Sequence, residues 1–213
     1  MQDYQRNFIQ LAIKHNCLRF GEFTLKSKRI SPYFFNAGLF NSGATISALG
    51  NYYAEAIIAA GIEFDMLFGP AYKGIPLAVT TAIALSQQHQ LDYPLAFNRK
   101  EPKDHGEGGI IIGAPLAKRV LIVDDVMTSG LTMGDSIQLI KEAGATPVGV
   151  IISVDRQERG QNTLSAAQEV QQRYALPVFS IVKLQHIMEY VKNDDTTAKV
   201  HAAIEAYFKQ YGA

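Results

Sequence analysis

The chain has 213 residues, enough for one sizeable α/β core at roughly 150 residues per domain, and its 20 Lys plus Arg balance 20 Asp plus Glu. That balance excludes the global basic field behind unspecific nucleic-acid binding, so an anionic ligand must be held by local clusters. The single cysteine, Cys17, excludes an internal disulfide and a thiolate metal site; with no signal-like apolar core at the amino terminus and no run of ~20 apolar residues, the expectation is a cytoplasmic protein that uses neither membrane nor nucleic acid as partner.

Phe8, Leu11 and Ala12 recur at helical spacing within residues 4 to 16 and predict an opening amphipathic helix that ends before Phe20-Gly21. FGEFTLKSKRISPYFFNAG carries β-branched and aromatic residues around a turn-like Lys26-Ser27-Lys28-Arg29 and predicts a hairpin, which Pro32 keeps near an edge. Ile46, Leu49, Tyr53, Ile57 and Ala60 then mark a helix capped by Gly61. From Asp65 onward, short apolar runs alternate with helical segments, the pattern of parallel strands with crossover helices: MLFG, GIPLAVTTAIALS, PLAFNRK, VLIVDD, LTMGDSIQLIKEAG and PVGVIISVD. PVFSIV and helices near 184–191 and 197–209 complete the chain, which reads as a single domain over 1–213. Residues 101–114 are polar and glycine-rich without periodicity, the composition of a lid.

Ligands of an open parallel sheet gather at the carboxyl ends of the strands. There VLIVDDVMTSGLT, residues 120–132, places Asp124 and Asp125 at the end of a buried strand, ahead of a Thr/Ser/Gly turn that opens a helix. Backbone N–H groups and hydroxyls of Thr128, Ser129, Gly130, Leu131 and Thr132 would converge there on a phosphate dianion, with the helix dipole behind them. A Walker loop is disfavoured because GxxxxGK[ST] is absent; a phosphoreceiver-like acidic pair would leave the phosphate nest unexplained.

This motif resembles the phosphoribosyl pyrophosphate (PRPP) loop of type I phosphoribosyltransferases. The resemblance implies that residues 126–132, including Val126 and Met127, grip the 5-phosphate, while Asp124 and Asp125 lie beneath the ribose and stabilise positive charge developing at C1. FGPAYKGIP, residues 68–76, presents Tyr72 and Lys73 and resembles the family's pyrophosphate loop; taken alone, a lysine after a strand is a solvated surface residue more often than not. NRKEPKDHGEGG gathers Arg99, Lys100, Lys103 and His105. Such a charge run is usually a solvated loop, yet R-K-x-x-K-x-H-G resembles the flexible catalytic loop of orotate phosphoribosyltransferases. By that resemblance, Lys103 and His105 reach across a homodimer interface to the departing pyrophosphate of the partner's site.

Orotate differs from the other bases of this superfamily in carrying a carboxylate, which favours a cation in the base pocket. The resemblance gives that role to Arg156, with an ion pair to Asp155 or Glu158 as the alternative use of the same guanidinium. LKSKRISPYFFNAG resembles the family's hood, with Lys26, Phe34 and Phe35 around orotate, aided by Thr128. Adjacent aromatics on a strand point to opposite faces, so at most one of the two rings stacks on the base and the other is core. The fold implied is α/β, the type I phosphoribosyltransferase fold: a central, mostly parallel sheet flanked by helices, with an N-terminal helix and β-hairpin hood. The reaction implied joins orotate to the ribose 5-phosphate of PRPP with Mg²⁺ held mainly by substrate and water. Two alternatives stay open: another phosphoribosyltransferase using a purine or uracil, and a catalytically silent PRPP-sensing regulator.

Overall fold

Apolar runs too short for helices and bounded by turn residues become strands here, and the longer amphipathic runs between them become the helices that cover both faces. The structure is a computed structural model that describes residues 1–25, 27–103, 109–127, 130–160, 163–192 and 198–213, with 102–103 and 130–132 described by backbone alone. Helix α1 (Asp3–Lys14) leads into an antiparallel hairpin, β1 (Leu18–Thr24) with β2 (Ile30–Phe35). Helix α2 (Gly43–Ala60) begins at a capping box of Ser42 and Thr45 and stops at Gly61, which is left-handed at φ 59°.

A six-stranded sheet follows. In chain order its parts are β3 (Met66–Gly69), α3 (Gly74–His89), β4 (Leu95–Lys103), β5 (Gly109–Gly113), β6 (Arg119–Val123), α4 (Gly130–Glu142), β7 (Thr146–Asp155), α5 (Ala166–Tyr174) and β8 (Val178–Lys183). Helices α6 (Leu184–Lys192) and α7 (Ala198–Tyr211) finish it. The strand order is β5-β4-β3-β6-β7-β8, parallel except for β5. Leu67 of β3 sits at the centre, paired with Leu95 on one side and Leu121 on the other.

Both faces are buried, as the unbroken apolar runs require. Leu67, Leu121, Val123 and Ile151 pack toward α1, α2 and α3, whereas Met66, Phe68, Val120, Ile122, Val150 and Ile152 share a second core with Met133, Ile137 and Ile140 of α4 and Val170 of α5. Cys17 is buried and burial pushes its thiol up to about 11, the behaviour of a small hydrophobe.

Two elements depart from the expectation. The polar stretch 101–114 is not free of regular structure: β4 runs on through Lys103, and Gly109–Gly113 returns antiparallel to it, with Phe97 opposite Ile112. Three isoleucines between glycines are too short a run to announce a strand, and an edge strand needs a pairing partner rather than a pattern of its own. Helix α5 was also not anticipated, although Ser165 and Gln168 form a reciprocal capping box whose S-x-x-Q signature stands in the sequence.

Helices α2 and α3 touch closely at Gly50, where an added Cβ would lie 2.5 Å from the carbonyl oxygen of Thr80. Because that neighbour is helix backbone and cannot swing away, Gly50→Ala should destabilise the fold by about 1–3 kcal/mol. A urea midpoint unchanged from the parent would contradict this close packing.

Candidate active site

From β3 the chain crosses through α3 to β4 on one side, and from β6 it crosses through α4 to β7 on the other. The neighbouring strands β3 and β6 therefore define the topological switch point, and their carboxyl ends open a crevice. Asp124 and Asp125 lie at the end of β6, and α4 begins at Gly130 shortly beyond them.

The backbone of the acidic pair is held from behind. Asp124 N donates to Ile151 O at 3.0 Å and the Asp124 carbonyl accepts from Tyr53 Oη at 2.7 Å. The Asp125 carbonyl accepts from Ser153 Oγ at 2.6 Å and from Ser153 N at 2.8 Å. Tyr53 and Ser153 are fully buried, and burial pushes the Tyr53 hydroxyl well above the usual tyrosine range, so it stays a donor. Each carbonyl is thus satisfied without help from the ligand side.

The turn after β3 comes close because two glycines allow it. A Cβ on Gly69 would meet Gly74 O at 2.4 Å, and one on Gly74 would meet Pro70 Cδ at 2.5 Å and Val123 O at 2.8 Å. The turn contains a cis Ala71–Tyr72 peptide bond, and Ala71 N donates to Asn98 Oδ1 on β4 at 2.9 Å. Lys73 then reaches across the crevice, with Nζ 2.6 Å from Asp125 Oδ2. Tyr72 is 65% exposed, with Lys100 Nζ 4.9 Å from its ring centre. Tyr72, Lys73, Lys100 and Asp125 are therefore brought to one end of the sheet from three different strands.

Arg156 follows β7. Its Nε and Nη2 donate to Glu158 Oε1 at 3.0 and 2.7 Å, and its Cζ lies 4.9 Å from the ring centre of Tyr33. A cavity of about 640 Å³ opens between the hairpin and α7, lined among others by Arg29, Ile30, Pro32 and Tyr211. It includes none of Lys73, Asp124, Asp125 or Arg156, and the site is instead the open crevice above the sheet.

The phosphoribosyl transferase domain family matches residues 40–183. An orotate phosphoribosyltransferase of Pseudomonas aeruginosa is 59% identical over 212 residues, covering 100% of both chains. The chain belongs to the orotate phosphoribosyltransferase family. Among solved structures, an orotate phosphoribosyltransferase of Francisella tularensis matches with a TM-score of 0.88 at 43% identity, over 97% of this chain and 100% of that one. A Mycobacterium tuberculosis orotate phosphoribosyltransferase in complex with PRPP shares the fold, at a TM-score of 0.63 and 19% identity, over 86% of this chain and 98% of that one.

Against the residues expected of an orotate phosphoribosyltransferase, the structure brings together Tyr72, Lys73, Lys100, Asp124 and Asp125. Arg99 lies beside Lys100 on β4. Lys26, His105, Thr128 and Ser129 lie outside the described residues, as do the side chains of Lys103, Leu131 and Thr132, while Gly130 opens α4. The side chain of Met127 is buried in one core and that of Val126 packs, partly exposed, against the other. The hood aromatics divide as strand alternation requires, with one ring in the core and the other partly exposed. Phe35 is buried among Phe8 and Phe40, and Phe34 packs with Phe23 and Arg19. Alternation along β2 puts Phe34 on the face opposite Tyr33, and it is Tyr33 whose ring lies under Arg156. Ser153, Asn98 and Tyr33 carry no signal in the sequence, because a buried hydroxyl or amide announces its partner only in three dimensions; the periodicity marks Tyr53 as a helix position and nothing more.

Burial pushes the Asp124 carboxyl up to about 6; the Asp125 charge adds to this, and the Asp125 N–H and Lys73 oppose it. A carboxyl raised in the folded state favours folding below its unfolded value near 4, and that advantage is lost as pH rises through about 6. Asp124→Asn should therefore stabilise the ligand-free protein by about 1–2 kcal/mol near pH 8 and leave it unchanged near pH 4. Equal melting shifts at both pH values would assign the effect to shape rather than charge. Tyr53→Phe should cost about 1–3 kcal/mol by stranding the Asp124 carbonyl, measured by urea unfolding.

Proposed function

We propose that the protein transfers the 5-phosphoribosyl group of PRPP to orotate, giving orotidine 5′-monophosphate and pyrophosphate, a step of pyrimidine biosynthesis. The observation that carries the reading is the Lys73–Asp125 bridge, 2.6 Å long, joining the turn after β3 to the acidic pair after β6 at the switch point. A cation that binds pyrophosphate and carboxylates that face a ribose belong on those two loops if C1 and its leaving group are to lie between them.

In this reading the bond from C1 to the pyrophosphate oxygen loosens and its electron pair departs with pyrophosphate, while orotate N1, attacking as an anion, forms the new bond to C1. Asp124 and Asp125 stabilise the positive charge that gathers on the sugar, and their burial strengthens that interaction. Lys73 occupies Asp125 until the more highly charged pyrophosphate competes for its ammonium group. Arg156 receives the carboxylate of orotate, which separates this base from uracil and the purines. Asp124 and Asp125 offer hard oxygen donors of the type Mg²⁺ takes, and two carboxylates suit an ion that keeps waters and substrate phosphates as its other ligands. Bound there, the ion would neutralise charge on the departing pyrophosphate.

The same reading makes 1–213 one functional unit, cytoplasmic and homodimeric, with Lys103 and His105 of one protomer covering its partner's site. No helix among the described residues is long and apolar enough to cross a membrane. The test is loss of the ultraviolet absorbance of orotate with PRPP and Mg²⁺, beside uracil, adenine and hypoxanthine. Turnover of orotate alone is expected, and turnover of another base would refute the base assignment. Lys73→Ala should lower kcat/KM for PRPP by roughly 10- to 100-fold, the worth of a charge-assisted contact. Mixing inactive Lys103→Ala chains with inactive Asp125→Asn chains should restore part of the activity; no recovery, with subunit exchange verified, would oppose loop sharing.

A further inference from the structure

Glu158 is surrounded by donors from three separate parts of the chain. Its Oε1 accepts from Arg156 Nε at 3.0 Å, from Arg156 Nη2 at 2.7 Å and from Tyr33 Oη of β2 at 2.7 Å. Its Oε2 accepts from Tyr207 Oη of α7 at 3.1 Å. The side chains of Arg156 and Glu158 are only 18% and 11% exposed. Tyr33 and Tyr207 meet edge to face at 6.4 Å.

The backbone of this segment is fastened as well. Glu158 bridges to Gly212, Arg159 N donates to Tyr211 O at 2.8 Å, and Ala213 N donates to Gln157 O at 2.9 Å. From the hairpin, Arg29 Nη1 donates to Arg159 O at 2.7 Å while its guanidinium lies over the Tyr211 ring at 4.8 Å. A carboxylate held this way cannot swing aside to make room for a substrate, and it is far better secured than an ordinary surface partner of arginine.

We propose that Glu158 is the positioning residue of the base site: locked by Tyr33 and Tyr207, it fixes the Arg156 guanidinium by the Nε–Nη2 edge, so that the remaining donors face the acid group of the base. The proposal rests on the assignment of Arg156 to that acid group. A guanidinium has five N–H donors, two of which Glu158 takes; Nη1 hydrogen-bonds to no other described residue. Arginine otherwise carries about 2 kcal/mol of rotamer entropy that binding would have to remove, and here the fold has removed it in advance. Tyr33 adds its ring beneath the guanidinium, so the hairpin and the C-terminal helix are coupled to base recognition through one carboxylate.

The decisive measurement is the pair of Michaelis constants, for orotate and for PRPP, in Glu158→Ala, Glu158→Gln, Tyr207→Phe and Arg156→Ala enzymes whose folding is checked by thermal melting. Glu158→Ala should raise the orotate KM about tenfold or more while the PRPP KM stays within about threefold. Glu158→Gln should recover part of that loss, because its amide oxygen still accepts from Arg156. Tyr207→Phe should show the same split, reduced to a few-fold. An orotate KM that stays within twofold, falls as for a competing carboxylate removed, or rises equally with the PRPP KM would overturn the positioning role. If Glu158→Ala does not fold, unmoved orotate constants in both Glu158→Gln and Tyr207→Phe would overturn it too. Arg156→Ala separates the two levels: a raised orotate KM there with unmoved Glu158 variants removes the proposal alone, whereas an unmoved one removes the assignment of the base site as well.

Discussion

Where β6 stops and the crevice opens, the carbonyls of Asp124 and Asp125 have to be satisfied from the protein side, that of Asp125 in part by a backbone N–H of β7. Tyr53 from α2 and Ser153 from β7 do this, one for Asp124 and one for Asp125. An unpaired buried carbonyl costs about 1–3 kcal/mol, so these contacts turn the strand end into a rigid platform rather than a frayed one. The carboxylates above it are then free of structural duties toward their own backbone, apart from the bond from Asp125 N to Asp124 Oδ1.

Rigidity of the backbone is matched by electrostatic tension in the side chains. Two carboxylates at the edge of a buried sheet repel one another, and burial works against the ionised form of Asp124. Lys73 relieves part of this by bridging to Asp125, which it can reach only because Gly69 and Gly74 let the turn after β3 settle against the end of β6. The crevice thus holds an internal cation against its acidic pair and carries charge of both signs.

The second device lies at the neighbouring strand end. Arg156 would be a long, freely rotating cation if it stood alone, and Glu158, Tyr33 and Tyr207 remove that freedom using parts of the chain that are remote in sequence. The N-terminal hairpin and the C-terminal helix contribute nothing to the six-stranded sheet, yet both are tied through this one carboxylate to the residue that follows β7.

Much of this was legible from order and pattern alone. The unbroken run VLIV reads as a strand buried on both faces because parallel sheets leave no polar face, and Gly61 reads as a helix end because it tolerates φ of 59°. That Asp124, Asp125 and Lys73 lie together at one crevice was legible because ligands of this architecture gather at strand ends, whatever packs behind them. Three things depended on tertiary structure. Ile110 to Ile112 became a strand only by pairing with β4; Tyr33 came to lie under Arg156; and the hydroxyls of Tyr53 and Ser153 found carbonyls far away in the chain. The common reason is that local periodicity records how a segment divides its apolar from its polar side, whereas the partner of an edge strand, a guanidinium or a buried hydroxyl is a long-range contact that leaves no periodic trace in the chain.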